Sequence, residues 1–77
     1  MINVGKCLLL DILKQKNVTQ QELAEKIGVT KQQINHYIKN RRIMSIQIAA
    51  NIAYVLDCEI MDLYEWHFVE IRDKRRK

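Results

Sequence analysis

The sequence predicts an all-α fold, a single small domain of five short helices. Three observations predict it. Apolar residues recur at helical spacing along most of the chain, and proline is absent while glycine occurs only at Gly5 and Gly28. Alternation of the strand type stays scarce until the final stretch. A chain of 77 residues makes one domain and buries only about 60% of the surface it exposes when unfolded. Its 48% hydrophobic content suffices for one core, and 29% charged residues is ordinary for a soluble surface.

The first helix is expected from about Val4 to Lys16, with Leu8, Leu9, Ile12 and Leu13 forming one buried stripe. Asn17 and Val18 break it. Thr19 starts the second helix, and Thr19 with Glu22 has the form of a capping box: the threonine oxygen accepts from the amide of Glu22, whose side chain reaches back to the amide of Thr19. That helix runs through Leu23, Ala24 and Ile27 and stops at Gly28, which takes the left-handed conformation at little cost. Thr30 starts the third helix, with Gln33 placed for a second capping box. Ile34, Tyr37 and Ile38 form its apolar side, and Asn40 is a left-handed terminator. Ser45 caps the fourth, whose inner face is Ile46, Ala49, Ile52, Ala53 and Leu56. A short fifth helix is expected around Ile60 to Tyr64. From Glu65 to Lys77 strand and helix are equally easy to write.

Charge is distributed unevenly around a formal net value of +4. No acidic residue lies between Glu25 and Asp57, where Lys26, Lys31, Lys39, Arg41 and Arg42 fall. Asp57, Glu59, Asp62, Glu65, Glu70 and Asp73 follow against Arg72, and Lys74 to Lys77 close the chain. A basic middle beside an acidic flank implies one face for a polyanion. The first apolar run is interrupted by Asp11 and the second by Asn51, and no basic start precedes a long apolar stretch. The expectation is therefore a cytoplasmic protein without membrane span or signal peptide. Cys7 and Cys58 lack the spacing of a zinc site; they read either as small buried hydrophobes in a reducing compartment or as a disulfide. No cofactor is expected.

Two helices joined by a three-residue turn impose strict demands on about twenty residues. Leu23 and Ile27 must be apolar to reach the core. Ala24 must be small where the helices approach. Gly28 turns the chain, Val29 tucks under it, and Ile34 and Tyr37 anchor the second helix. Every requirement is met. The run from Val18 to Ile34 resembles the Cro and phage-repressor type helix-turn-helix family of bacterial and phage transcriptional regulators, and the likeness extends from Leu8 to Tyr64. It implies a lambda-repressor-like domain of five helices that works as a dimer on a short, near-palindromic double-stranded DNA operator. Three departures stand out. Leu13 and Ile38 occupy positions that many members fill with a buried arginine and glutamate. Met44 replaces a frequent proline, and Asn40 a usual glycine. The helix-turn-helix domain is expected at residues 1–65. Residues 66–77 form an extension whose Trp66, Phe68 and Val69 are too apolar for a free tail and pack on the core or on a second subunit. Its terminal basic run is either an arm that reaches DNA or a solubilising tail.

The recognition helix, about 31–39, is expected to enter the major groove. Glutamine suits adenine and lysine suits guanine. The resemblance makes Lys31, Gln32 and His36 first choices for base edges. Gln33 is divided between base or phosphate contact and capping, and Asn35 between base and backbone. Gln20 at the start of the second helix meets a phosphate. Thr30 either caps or donates to phosphate. Lys39, Arg41 and Arg42 grip the flanking backbone. An enzyme is not expected, since no nucleophile–base arrangement or phosphate-binding glycine loop is present, and no small-molecule ligand is expected. The rival reading is a protein-interaction module, a small antagonist of another regulator, whose third helix would expose aromatics or leucines instead.

Overall fold

The computed structural model describes residues 2–68. Four α-helices, α1 (Leu9–Lys16), α2 (Gln20–Ile27), α3 (Lys31–Ile38) and α4 (Ile46–Leu56), enclose the core. They are flanked by two strands, β1 (Ile2–Cys7) and β2 (Tyr64–Phe68), which pair antiparallel. A single 3₁₀ turn over Ile60–Leu63 leads from α4 into β2. The fold is therefore not all-α and does not hold five α-helices. The expected start of the first helix at Val4 gives way to a strand that ends at Cys7, and the expected fifth helix is the 3₁₀ turn. Both corrections have one cause. Residues 2–7 and 64–68 are remote in sequence, and each supplies the partner the other needs.

Local chemistry accounts for the helix ends. Thr19 and Glu22 form the complete capping box, with reciprocal bonds of 3.0 and 2.9 Å. The Thr19 amide, donating to the Glu22 carboxylate, holds that carboxyl below its usual pKa because it favours the charged form. Ser45 accepts from the amide of Ile48 at 3.1 Å. At their C-terminal ends, the helices turn through residues of positive φ: Asn17, Gly28, Asn40 and Asp57. After α3 the amide of Asn40 donates to the Tyr37 carbonyl and that of Arg41 to the His36 carbonyl, a paired closure that requires the left-handed residue at Asn40. A Cβ on Gly28 would meet nothing within 4 Å, so this glycine answers to its φ of 78° and not to crowding.

Leu9, Leu23, Ile34, Ile52, Leu56 and Leu63 are fully buried and form the centre of the core. Ala24 is buried as the close approach of α2 and α3 demands, while Ile27, Val29 and Ile38 pack against the cluster partly exposed. Leu13 is buried as well, so apolar packing stands where an ion pair was the alternative. Leu8 is only partly covered, and Ile46 lies exposed, so neither belongs to its expected inner stripe. Cys7 is buried and Cys58 half-buried, and both are free thiols. Burial raises the pKa of each, with Asp62 adding to the effect at Cys58.

The ribbon pairs Ile2 with Phe68, Asn3 with His67, Val4 with Trp66 and Cys7 with Tyr64, with a bulge between Val4 and Cys7. Gly5 sits in that irregular stretch, where a Cβ would overlap the His67 ring. Trp66 packs against the core, donates its Nε1–H to the Met61 carbonyl at 2.7 Å, and meets Tyr64 edge-on at 6.3 Å. Phe68 remains 76% exposed, and the expected contact of Val69 and the role of the terminal basic run lie outside the described residues. β2 crosses the position, between 65 and 66, where the extension was expected to begin.

Candidate nucleic-acid interface

The third helix owes its position to three supports. Thr30 caps it through the amide of Gln33 at 3.0 Å. Ile34 and Tyr37 anchor it in the core. It packs on both α1 and α2. With Ile34, Tyr37 and Ile38 inward, helical periodicity puts Gln32, His36 and Lys39 on the opposite side, with Lys31 and Asn35 one stripe over. Lys31, Gln32 and Lys39 are exposed, and Gln33, Asn35 and His36 are partly so.

One shallow groove gathers Thr30, Gln32, Gln33, His36 and Arg42. Arg42, six positions beyond His36, is brought back beside the helix by the chain reversal at Asn40. Lys31, Asn35, Lys39 and Arg41 lie around this groove and not in its lining. The second capping box is only half formed. The Gln33 side chain does not return to Thr30; its Nε2 donates to the Tyr37 hydroxyl at 3.1 Å. Gln33 is therefore tied along its own helix, a role that neither expectation for it named. Gln20 is partly buried and its Oε1 is covered without a partner among the described residues. A phosphate contact from Gln20 would come from its amide nitrogen.

The charge pattern separates in space as well as in sequence. Asp11, Asp57, Glu59 and Asp62 line a second groove between α1 and the end of α4, together with Lys16 and Cys58. It shares no residue with the groove along α3. The groove along α3 offers a polyanion glutamine amides, imidazole and guanidinium, and no carboxylate is in its lining. No group of three or more histidine, cysteine or acidic side chains among the described residues is placed to hold a metal ion. No helix of the described residues is long and apolar enough to cross a membrane.

Two contacts beside this groove had no signal in the sequence. The Asn40 side-chain carbonyl accepts the amide N–H of Cys7 at 3.0 Å. The Tyr64 hydroxyl accepts the buried amide N–H of Met44 at 3.1 Å. Both tie the segment leaving α3 to the ribbon, one to each strand. A glycine at 40 would have no such acceptor, and a proline at 44 no such donor, which gives two of the three departures from the family pattern a physical reason.

Comparison with known proteins agrees with this geometry. The helix-turn-helix family of Cro/C1 type matches residues 9–63. An SPbeta prophage-derived uncharacterized HTH-type transcriptional regulator of Bacillus subtilis, YopS, is 39% identical over 66 residues, spanning 84% of this chain and 89% of its own. A second SPbeta prophage-derived regulator from the same organism, YotL, is 34% identical over 83% of this chain and 81% of its own. Among solved structures, the biofilm master regulator SinR in complex with DNA superposes with a TM-score of 0.64 at 31% identity, over 69% of this chain and 86% of that one. A protein from Bacteroides fragilis, known by its crystal structure, shares the fold, with a TM-score of 0.71 at 22% identity over 84% of this chain and all of its own. The match across α1 to the 3₁₀ turn, with every steric requirement of the helix pair satisfied, makes this chain a member of the Cro/C1-type helix-turn-helix family of DNA-binding transcriptional regulators.

Proposed function

We propose that the chain is a sequence-specific regulator of transcription, acting as a repressor, which reads double-stranded DNA by inserting α3 into the major groove. The observation that carries this reading is the groove in which Gln32, His36 and Arg42 converge beside a capped and core-anchored helix. Gln32, His36 and Lys31 read base edges. Lys39, Arg41 and Arg42 hold the flanking phosphates, with Gln20, Thr30 and Asn35 at the margins. Base contacts set the choice of sequence, and phosphate contacts supply affinity and salt dependence. That SinR was solved on DNA supports double-stranded DNA as the partner. Two copies are proposed to act together on a near-palindromic site. The protein-interaction alternative expects aromatics or leucines outward on the third helix; the large exposed apolar residues among those described, such as Ile43, Ile46, Tyr54 and Phe68, all lie on other elements. No catalytic activity is proposed.

Selection of bound sequences from a random duplex pool, followed by salt titration, tests the proposal. The expected result is a short near-palindrome whose half-sites stand about 34 Å apart, one helical turn. On that site Gln32→Ala should weaken binding by about 1–3 kcal/mol and relax the choice at one base pair. Arg42→Ala should weaken all duplexes alike. Uniform loss by both variants on every operator change would remove α3 from the groove.

A further inference from the structure

We infer that Tyr64 and Asn40, neither of them on the DNA-facing side of α3, are positioning residues for the phosphate-gripping segment, so that the β-ribbon sets how firmly this protein holds a DNA backbone. The inference rests on the DNA-binding reading above and adds to it a role for the ribbon.

Between α3 and α4 the chain passes through Lys39, Asn40, Arg41, Arg42, Ile43, Met44 and Ser45 without regular structure. Arg41, Arg42 and Ile43 are exposed. An exposed, irregular segment of this kind loses conformational entropy when it orders on a ligand, and any support that orders it beforehand raises affinity. Such support exists on both sides of the two arginines. On one side Asn40 sits at φ 60° and its side chain accepts the Cys7 N–H, while the Arg41 amide closes back on His36. On the other, Met44 is buried and its N–H is held by the Tyr64 hydroxyl. Cys7 belongs to β1 and Tyr64 to β2, and the two are register partners across the ribbon. One rung of the ribbon thus carries both ties, and the arginines span the gap between them. Arg42 lies where two grooves meet: it lines the recognition groove, and it also lines a small cleft with Gly5, Asn40, Ile43 and Tyr64 against the ribbon.

A tie that only stabilised the fold would change melting and nothing else. A tie that positions the arginines changes the salt dependence of binding, because that slope counts the phosphates neutralised. The test uses the full chain and a random-sequence duplex of about two helical turns, followed by fluorescence anisotropy across a salt series. Tyr64→Phe removes one hydroxyl, and Asn40→Gly keeps the left-handed turn but removes the acceptor. Each should lower affinity about two- to tenfold, the range expected from one net hydrogen bond, with a shallower salt slope. In an Arg41→Ala, Arg42→Ala background the same two changes should have no further effect. In the free protein, amide hydrogen exchange at residues 41–44 should quicken in both variants while the helical circular dichroism stays unchanged. Folded variants with unaltered salt slope and unaltered exchange would overturn the inference, as would a loss of equal size in the arginine-free background. Failure of the unsubstituted chain to bind any duplex would instead overturn the functional reading; the exchange measurement, which needs no DNA, would still decide whether the two ties order the segment.

Discussion

The helix-turn-helix pair and the β-ribbon are held together by opposite means. In α2 and α3 the side-chain hydrogen bonds are local: Thr19 with Glu22, Thr30 with Gln33, and Gln33 with Tyr37 span three or four residues each. In the ribbon the contacts join residue 2 to residue 68 and residue 7 to residue 64, and no local rule prepares either strand for the other. The helix pair presents polar side chains over a fully buried centre, whereas the ribbon leaves Ile2, Val4 and Phe68 exposed on strands of six and five residues. A two-stranded ribbon is marginal on its own in water. What stabilises this one is its rung at Cys7 and Tyr64, both buried against the helices, and the docking of Trp66. The helix ends follow short-range rules, and the ribbon takes its stability from packing on the helices.

The largest effect that could break this contrast is a cavity in the helix pair. Ile34→Ala, at a fully buried site, should destabilise by about 2–5 kcal/mol, a large share of what a domain of this size has. Thermal melting by circular dichroism would show it. Trp66→Ala should cost less, about 1–3 kcal/mol, from one lost hydrogen bond and one aromatic contact on a half-covered ring. Equal melting temperatures for the two variants would mean that the ribbon belongs to the same cooperative core. Gly28→Ala should cost about 1–2 kcal/mol through its positive φ alone, with no clash to relieve. Gly5→Ala should instead require the exposed His67 ring to swing aside and the Glu65 carbonyl, 3.1 Å from the new Cβ, to give slightly, so a second change at 67 should relieve only part of its cost. Thr19→Ala should cost about 1 kcal/mol in chemical denaturation.

The smallest effect is that of pH at the α2 cap. The folded-state pKa of Glu22 lies below its ordinary value, so its contribution is present above that value and is lost as pH falls through the folded pKa. The expected outcome is that unsubstituted protein and Glu22→Gln differ in melting temperature at neutral pH and converge in acid. A constant difference across the series would mean that the capping box does not depend on the charge.

Much of the candidate interface was legible in the sequence because its rules are periodic and local. The acid-free stretch from Lys26 to Leu56, the cap at Thr30 and the inward pair Ile34 and Tyr37 together place Gln32 and His36 outward with no further information. Asn40 was legible as a left-handed turn from its side-chain type. Its second function was not, since the partner amide at Cys7 lies 33 residues away. Gln33 shows the same limit on a smaller scale: its spacing fits a capping box, yet its amide went to a tyrosine one turn further on, which only the packing of Tyr37 brings within reach.

By itself, then, the sequence determined four helices, the starts of the second, third and fourth, the turns after the first three and the outward face of the third, because capping, helical period and positive-φ tolerance act within a few residues. Tertiary structure alone decided that residues 2–7 leave the first helix, that residues 64–68 become a strand, and that both hold the segment carrying Arg41 and Arg42. Strand pairing is satisfied only by a partner in space, and alternation too short to fix a strand by itself becomes one when a remote stretch supplies the other half of its hydrogen bonds.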